Sequence, residues 1–194
     1  TYTDLVAVNA LKTATTTTYG NPGLTVTNPI TASEAGTIAG YTTGVTTATI
    51  SDTVITDALA NIPNENNNAF TITVTGTTAS NTTVLSSVIN TLNSRTTVPL
   101  QVNATAIEGT YASVSAQLLA NAGLDGIGGN AITPTITGMD AINVLVPSAT
   151  ETVSLANLIN LDGLTTGTIT AQVTETRTDQ LVAANTGLVS GHNI

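Results

Sequence analysis

The chain has 194 residues, of which 41% are hydrophobic, 3% aromatic and 8% charged, and its formal net charge is −9. The absence of cysteine excludes a disulfide framework, a thiolate metal site and a cysteine nucleophile. Three basic residues are too few to neutralise a phosphate backbone or an anionic lipid surface, which argues against a nucleic-acid partner and against membrane attachment by charge. No apolar run approaches the ~18 residues of a spanning helix, so we expect no membrane insertion, and the first four residues lack the basic flank of a signal peptide.

Threonine gives the chain its polar surface. An ordinary soluble domain has about 25% charged residues, whereas this chain has few charges and 43 threonines. Threonine combines a β-branched shape that favours strands with a hydroxyl that water can solvate. The composition therefore predicts a strand-rich protein with an uncharged, hydroxyl-covered surface.

One strand pattern, strand A, recurs along the chain. It is clearest in residues 68–76 and returns in residues 130–138 with six identities in nine positions, and a weaker copy covers residues 24–27. The alternation of threonine with apolar residues in these segments is typical of a half-buried strand.

A second pattern, strand B, lies between the copies of strand A. It covers residues 42–53, returns in residues 165–176 and has a weaker copy in residues 96–104. Residues 30–43 also align without a gap on residues 153–166, at the same offset. Repetition at a fixed offset is typical of a repeat protein.

Helical spacing of apolar residues is found between these strands. The clearest predicted helix spans residues 79–95, with Ser80 as its cap, and two others begin at Thr110 and Ser154. Shorter helices are predicted where a Thr-Asp pair precedes an apolar residue, at positions 3–4, 56–57 and 178–179.

Strands that alternate with helices imply parallel pairing, and short repeats imply a solenoid. We therefore predict an α/β repeat fold, a solenoid with a parallel sheet, short helices in the return segments and about three two-coil repeats. A single repeat domain covers residues 1–194, with repeats at about 1–53, 54–109 and 110–176 and a partial repeat at 177–194. An insertion at residues 140–150 carries Ile142, Val144 and Val146 at alternate positions and predicts one more strand.

The alternation also predicts which side chains of the strands point outward. Apolar residues such as Ile72, Val102 and Ile169 are expected to face inward, and the intervening threonines to form an exposed interaction face. Gln101 and Asn103 are expected to interrupt that face in the middle repeat. The predicted face consists of Thr47, Thr49, Thr71, Thr73, Thr75, Thr133, Thr135, Thr168 and Thr170.

Several segments resemble known repeats. Residues 107–114, 123–131 and 158–167 are similar to the Thr- and Ala-rich repeats of very large secreted or virion-associated proteins of cyanobacteria and their phages. Residues 136–144 resemble solenoid repeats of bacterial surface-layer and RTX-type proteins. The resemblance implies a structural role at a cell surface, in the extracellular space or on a virion.

The resemblance to RTX-type repeats also suggests calcium as a ligand. Asp125 and Asn130 bracket a glycine-rich turn and offer hard oxygen ligands, although a flexible connection explains the same residues. Two pairs of acids, Asp52 with Asp57 and Glu175 with Asp179, lie at equivalent repeat positions, and helix capping is favoured over cation binding for both pairs. We expect no other cofactor.

The sequence argues against an enzyme. The single histidine, His192, has no acid or nucleophile near it in the chain, and four tyrosines and one phenylalanine supply few aromatic platforms for a carbohydrate-cleaving cleft. We expect a non-enzymatic structural module that associates, through its terminal coils, with copies of itself or with adjoining repeats of a longer chain, in filaments or a surface layer. The alternative is an adhesin segment that binds ice or glycan through the threonine face.

Overall fold

The computed structural model describes residues 1–7, 23–54, 59, 62–63, 68–77, 81–125, 133, 135–147, 149 and 151–175. It shows an α/β fold with parallel sheets and several short helices. The predicted residues Asn130 and His192, and the acids Asp57 and Asp179, lie outside this part of the chain. Residues 2–7 are helical. The four longer helices of the described residues are α1 (Ala32–Ala39), α2 (Ser86–Asn93), α3 (Tyr111–Ala122) and α4 (Leu155–Asp162).

The strands are short and pair in parallel in three sheets. One sheet has the order β1-β2-β3, a second β4-β6-β8 and a third β10-β9-β7-β5. The sequence predicted one sheet. In the structure β3 pairs with β2 and β4 pairs with β6, and only Ile72 separates β3 from β4. The strands are β1 (Leu24–Thr25), β2 (Thr46–Thr49), β3 (Ala69–Thr71), β4 (Thr73–Val74), β5 (Thr83–Leu85), β6 (Leu100–Val102), β7 (Ala106–Glu108), β8 (Ile136–Thr137), β9 (Asn143–Leu145) and β10 (Ile169–Thr170).

The third sheet shows how the core is built. Its register places Val84 beside Ile107, Ile107 beside Val144, and Val144 beside Ile169. All four side chains are at most 1% exposed. Strand β9 confirms the strand predicted in the insertion, because Ile142, Val144 and Val146 are all buried. The aliphatic row continues into one hydrophobic core that runs from Val26 to Ile169.

Two of the predicted helix starts are confirmed. The Thr110 hydroxyl accepts a hydrogen bond from the Ser113 amide at 3.3 Å, and the Ser154 hydroxyl accepts one from the Asn157 amide at 3.3 Å. Helix α3 ends at Gly123, whose φ of 68° is the left-handed conformation that glycine adopts most readily.

The predicted helix at residues 79–95 is wrong in its first part. Residues Thr83–Leu85 form strand β5, and helix α2 begins only at Ser86. Val84 is buried in the row described above, whereas Leu85 points outward and is 42% exposed. Pairing with β7 therefore prevails over the helical spacing of these apolar residues.

Candidate interaction surfaces

The nine threonines of the predicted interaction face are all at least partly exposed, as the alternation predicted. Thr47, Thr49 and Thr71 lie on β2 and β3 of the first sheet, and Thr73 lies on β4 of the second. Thr75 follows β4, and Thr133 and Thr135 precede β8. The remaining two, Thr168 and Thr170, lie at or on β10 of the third sheet. The structure thus distributes these residues over three sheets.

The register aligns some of these threonines across neighbouring strands. Thr25 pairs with Thr47, and Thr49 pairs with Thr71. Neighbouring strands are about 4.8 Å apart, so each pair presents two hydroxyls and two methyl groups at that spacing. The outward positions of β1 to β3 carry no charged side chain.

Gln101 interrupts the threonines of the second sheet, as expected. It lies between Thr73 and Thr137 in the register of β4, β6 and β8. Its side chain is held in place, because the Thr137 hydroxyl donates to Oε1 at 2.8 Å and Nε2 donates to Oδ1 of Asn103 at 2.8 Å. The middle of this surface is therefore an amide network.

Carboxylates accept hydrogen bonds from the first backbone amide of three helices. Asp52 accepts a hydrogen bond from the Ala32 amide at 2.7 Å, and Glu175 accepts one from the Leu155 amide at 3.0 Å. These acids lie at equivalent positions of the sequence repeat, and the capping interpretation is confirmed for both. Each acid caps a helix that lies 20 residues earlier in the chain.

The third carboxylate was not anticipated from the sequence. Glu151 accepts a hydrogen bond from the amide of Tyr111, the first residue of α3. The two residues are 40 positions apart, and this spacing differs from that of the other two contacts. A negative charge at a helix N-terminus stabilises the helix through its favourable interaction with the helix dipole.

The hydrogen bond from the Leu155 amide lowers the pKa of the Glu175 carboxyl, and the Thr174 hydroxyl contributes a further hydrogen bond. Both donors favour the ionised form. The acid is therefore charged under neutral conditions, as its role at the start of α4 requires.

The structure describes only one of the two residues of the predicted calcium site, because Asn130 lies outside the described residues. Asp125 is exposed just after α3, and no group of three or more His, Cys, Asp or Glu residues comes together within the described ranges. Two open grooves lie on the surface. One, of about 300 Å³, is lined by residues that include Asn93, Thr96 and Thr135, and the other, of about 560 Å³, lies beside Leu145 and Thr170.

Two buried polar side chains lie side by side in the first sheet. Thr46 and Asn68 directly precede the paired residues Thr47 and Ala69, and both are at most 1% exposed. Neither Oγ1 of Thr46 nor Nδ2 of Asn68 has a hydrogen-bond partner within the described part of the chain. A buried polar atom without a partner loses its hydrogen bonds to water and gains none in the folded state, so it lowers the free energy of unfolding.

Neither a family model nor a curated protein nor a solved structure matches the chain. Within the described residues, no helix is long and apolar enough to cross a membrane.

Proposed function

We propose that the chain is a non-enzymatic structural module of an extracellular or virion-surface assembly. In this proposal it is an α/β solenoid of about three two-coil repeats, and copies associate through the open edges of its sheets. The extracellular or virion-surface setting rests on the resemblance of its repeats to those of secreted and virion-associated proteins.

The observation that carries the proposal is the state of the sheet edges. In the described part of the chain, β1 and β5 each pair with a neighbouring strand on one side only. An unpaired edge offers a row of backbone donors and acceptors to a strand from another molecule. Charged side chains, which often protect such edges, are absent from both strands, since β1 has the sequence Leu-Thr and β5 has the sequence Thr-Val-Leu.

The surface composition adds to this argument. The outward positions of β1 to β3 are uncharged, so copies that pack side by side would meet little like-charge repulsion there. Hydroxyls and methyl groups can pack against similar surfaces without burying an unpaired charge.

The test is the molar mass of the purified chain, measured by light scattering over a hundredfold range of protein concentration, followed by negative-stain imaging. We expect the mass to rise with concentration and the images to show filaments, sheets or a defined oligomer. The same series in calcium and in a chelator should coincide, because the association proposed here needs no metal. A constant monomer mass over the whole range would refute self-association.

A second candidate, an adhesin that binds ice or glycan, is favoured by one observation. The pairs Thr25–Thr47 and Thr49–Thr71 form a small two-dimensional array of hydroxyls at the strand spacing. Retention on ice and on a glycan array would be measured for the wild type and for Thr49→Lys. The exposed Thr37 lies on helix α1, outside the strands, and Thr37→Lys is the matched control. Equal retention of the three proteins would contradict this candidate.

A further inference from the structure

The first and last strand pairs of the described chain have the same hydrogen-bond pattern. Leu24 and Val26 donate to the carbonyls of Val45 and Thr47 at 2.8 and 2.9 Å. Val144 and Val146 donate in the same way to the carbonyls of Thr168 and Thr170, also at 2.8 and 2.9 Å. Strand β1 is therefore the structural counterpart of β9, and β2 is the counterpart of β10.

The equivalence extends through the following helices. Ile30 and Ile50 form an isolated parallel bridge, as do Val153 and Val173. The helix after each bridge begins with an amide that donates to an acid 20 residues later, Asp52 in one case and Glu175 in the other. The two segments thus share strand pairing, helix and cap.

The counterparts differ on one side. The far edge of β9 is occupied by β7, in a register that places Ile107 beside Val144 and Glu108 beside Leu145. The Gly109 amide donates to the Leu145 carbonyl at 3.1 Å, and the Asn143 amide donates to the Thr105 carbonyl at 3.0 Å. Val144, between its two neighbouring strands, is 1% exposed.

The same edge of β1 is open in the described part of the chain. Because Leu24 and Val26 both donate toward β2, the amide of the residue between them, Thr25, points to the other side. Thr25 occupies the position of Leu145, and Leu24 occupies that of Val144. Leu24 is only partly buried, and within the described residues no strand places a counterpart of Ile107 beside it.

We infer that the open edge of β1 binds a parallel strand of a second copy of this chain, in the register that β7 adopts against β9. The inference rests on the proposed function and specifies its contact. A strand that fits places an apolar residue opposite Leu24, and the residues before and after that apolar residue point outward. Ala106–Glu108 has this pattern, with Ile107 buried between two partly exposed residues.

In a second copy β7 is already paired on both sides, but β8 has the same pattern, with the buried Ile136 between Thr135 and Thr137, and within the described residues it is paired with β6 only. A second copy therefore supplies a strand that fits. The contact is heterologous, so repeated addition gives a closed ring or an open filament, depending on the rotation between neighbouring copies.

Two variants at one position test the contact. Thr25→Pro removes the outward amide hydrogen and leaves both hydrogen bonds to β2 in place, because those come from Leu24 and Val26. Thr25→Val keeps the amide and the β-branched shape and removes only the hydroxyl. We expect at least a tenfold weaker association for Thr25→Pro and less than a twofold change for Thr25→Val, measured by light scattering on samples with matched circular dichroism.

Hydrogen exchange of the wild-type chain gives a test that does not depend on a variant. The Thr25 amide should exchange rapidly in dilute solution and become protected on association, whereas the Val26 amide should be protected in both states. A wild type that associates while its Thr25 amide stays unprotected, or a Thr25→Pro protein that associates normally, overturns the β1 contact and leaves the proposed function standing. A wild type that never associates overturns both.

Discussion

The row formed by Val84, Ile107, Val144 and Ile169 predicts a specific loss of stability. Ile107 lies between two buried neighbours and is 0% exposed. Ile107→Ala removes three carbon atoms, which are worth about 2.4 kcal/mol at ~0.8 kcal/mol each, and the remaining cavity raises the expected cost to about 3–4 kcal/mol. For a chain of this size, such a loss lowers the thermal midpoint by roughly 10 °C.

The free energy of unfolding would be measured by urea denaturation, monitored by far-ultraviolet circular dichroism. Ile107→Val, which removes a single methylene, should cost about 1 kcal/mol. Leu85→Ala serves as the surface control, because Leu85 is on the adjacent strand and is 42% exposed. If Ile107→Ala costs less than about 1 kcal/mol, or no more than Leu85→Ala, Ile107 is not held in a close-packed row and the reasoning fails.

Three further predictions concern single positions. Gly138→Ala should lower the free energy of unfolding by about 1–3 kcal/mol in urea denaturation, because Gly138 has a φ of +89° and a new Cβ would lie 2.2 Å from the Val102 carbonyl oxygen. Gly163→Ala is the control: its nearest contact is 3.6 Å, and its free energy of unfolding should change by no more than about 0.5 kcal/mol. Thr46→Val should stabilise the fold by about 1 kcal/mol, since its buried hydroxyl has no described partner and the equivalent residue in β10 is Ile169; a destabilised variant would show that the hydroxyl is satisfied. Because the Glu175 pKa is lowered in the folded state, Glu175 stabilises the fold above the ordinary glutamate pKa, and this contribution is lost as the pH falls through the folded pKa. The thermal midpoint of Glu175→Gln should therefore fall less on acidification than that of the wild type, and parallel curves for the two proteins would contradict this.

The sequence predicted the buried face of the strands well because alternation is a local property. Ile72, Val102 and Ile169 are all buried, and the threonines between such residues are exposed or half-exposed. The caps at Thr110 and Ser154 were also predictable, because a capping hydroxyl and the amide that it accepts from are three residues apart.

Features that depend on contacts between distant segments were not predictable in the same way. Val84 and Leu85 fit a helical stripe, and only pairing with Ile107 and Glu108 makes them a strand. The division into three sheets follows from the pairing partners of β3 and β4, which no local pattern specifies. Glu151 could not be assigned to Tyr111, because their separation of 40 positions differs from the separation of 20 positions at the other two helices.

The buried link between α3 and the loop before β9 is a further example. Asn121 donates from Nδ2 to the Asp140 carboxylate at 2.8 Å and accepts from the Met139 amide at 2.9 Å. In the sequence, Asn121 is one of several polar residues of α3, beside Ser113, Ser115 and Gln117, and nothing local distinguishes a buried asparagine from an exposed one. Its partners Met139 and Asp140 directly follow Gly138, whose φ is 89°.

The carboxylate contacts at the helix starts have a consequence for biosynthesis. The Ala32 amide can meet Asp52, and the Tyr111 amide can meet Glu151, only after 20 and 40 further residues have left the ribosome. Each helix therefore emerges with its local cap only, the hydroxyl of Thr31 or of Thr110, and gains its carboxylate contact from the segment that follows. A chain stalled between a helix and its acid would lack this contact, whereas passage of the acid would secure the preceding segment before the next one is added.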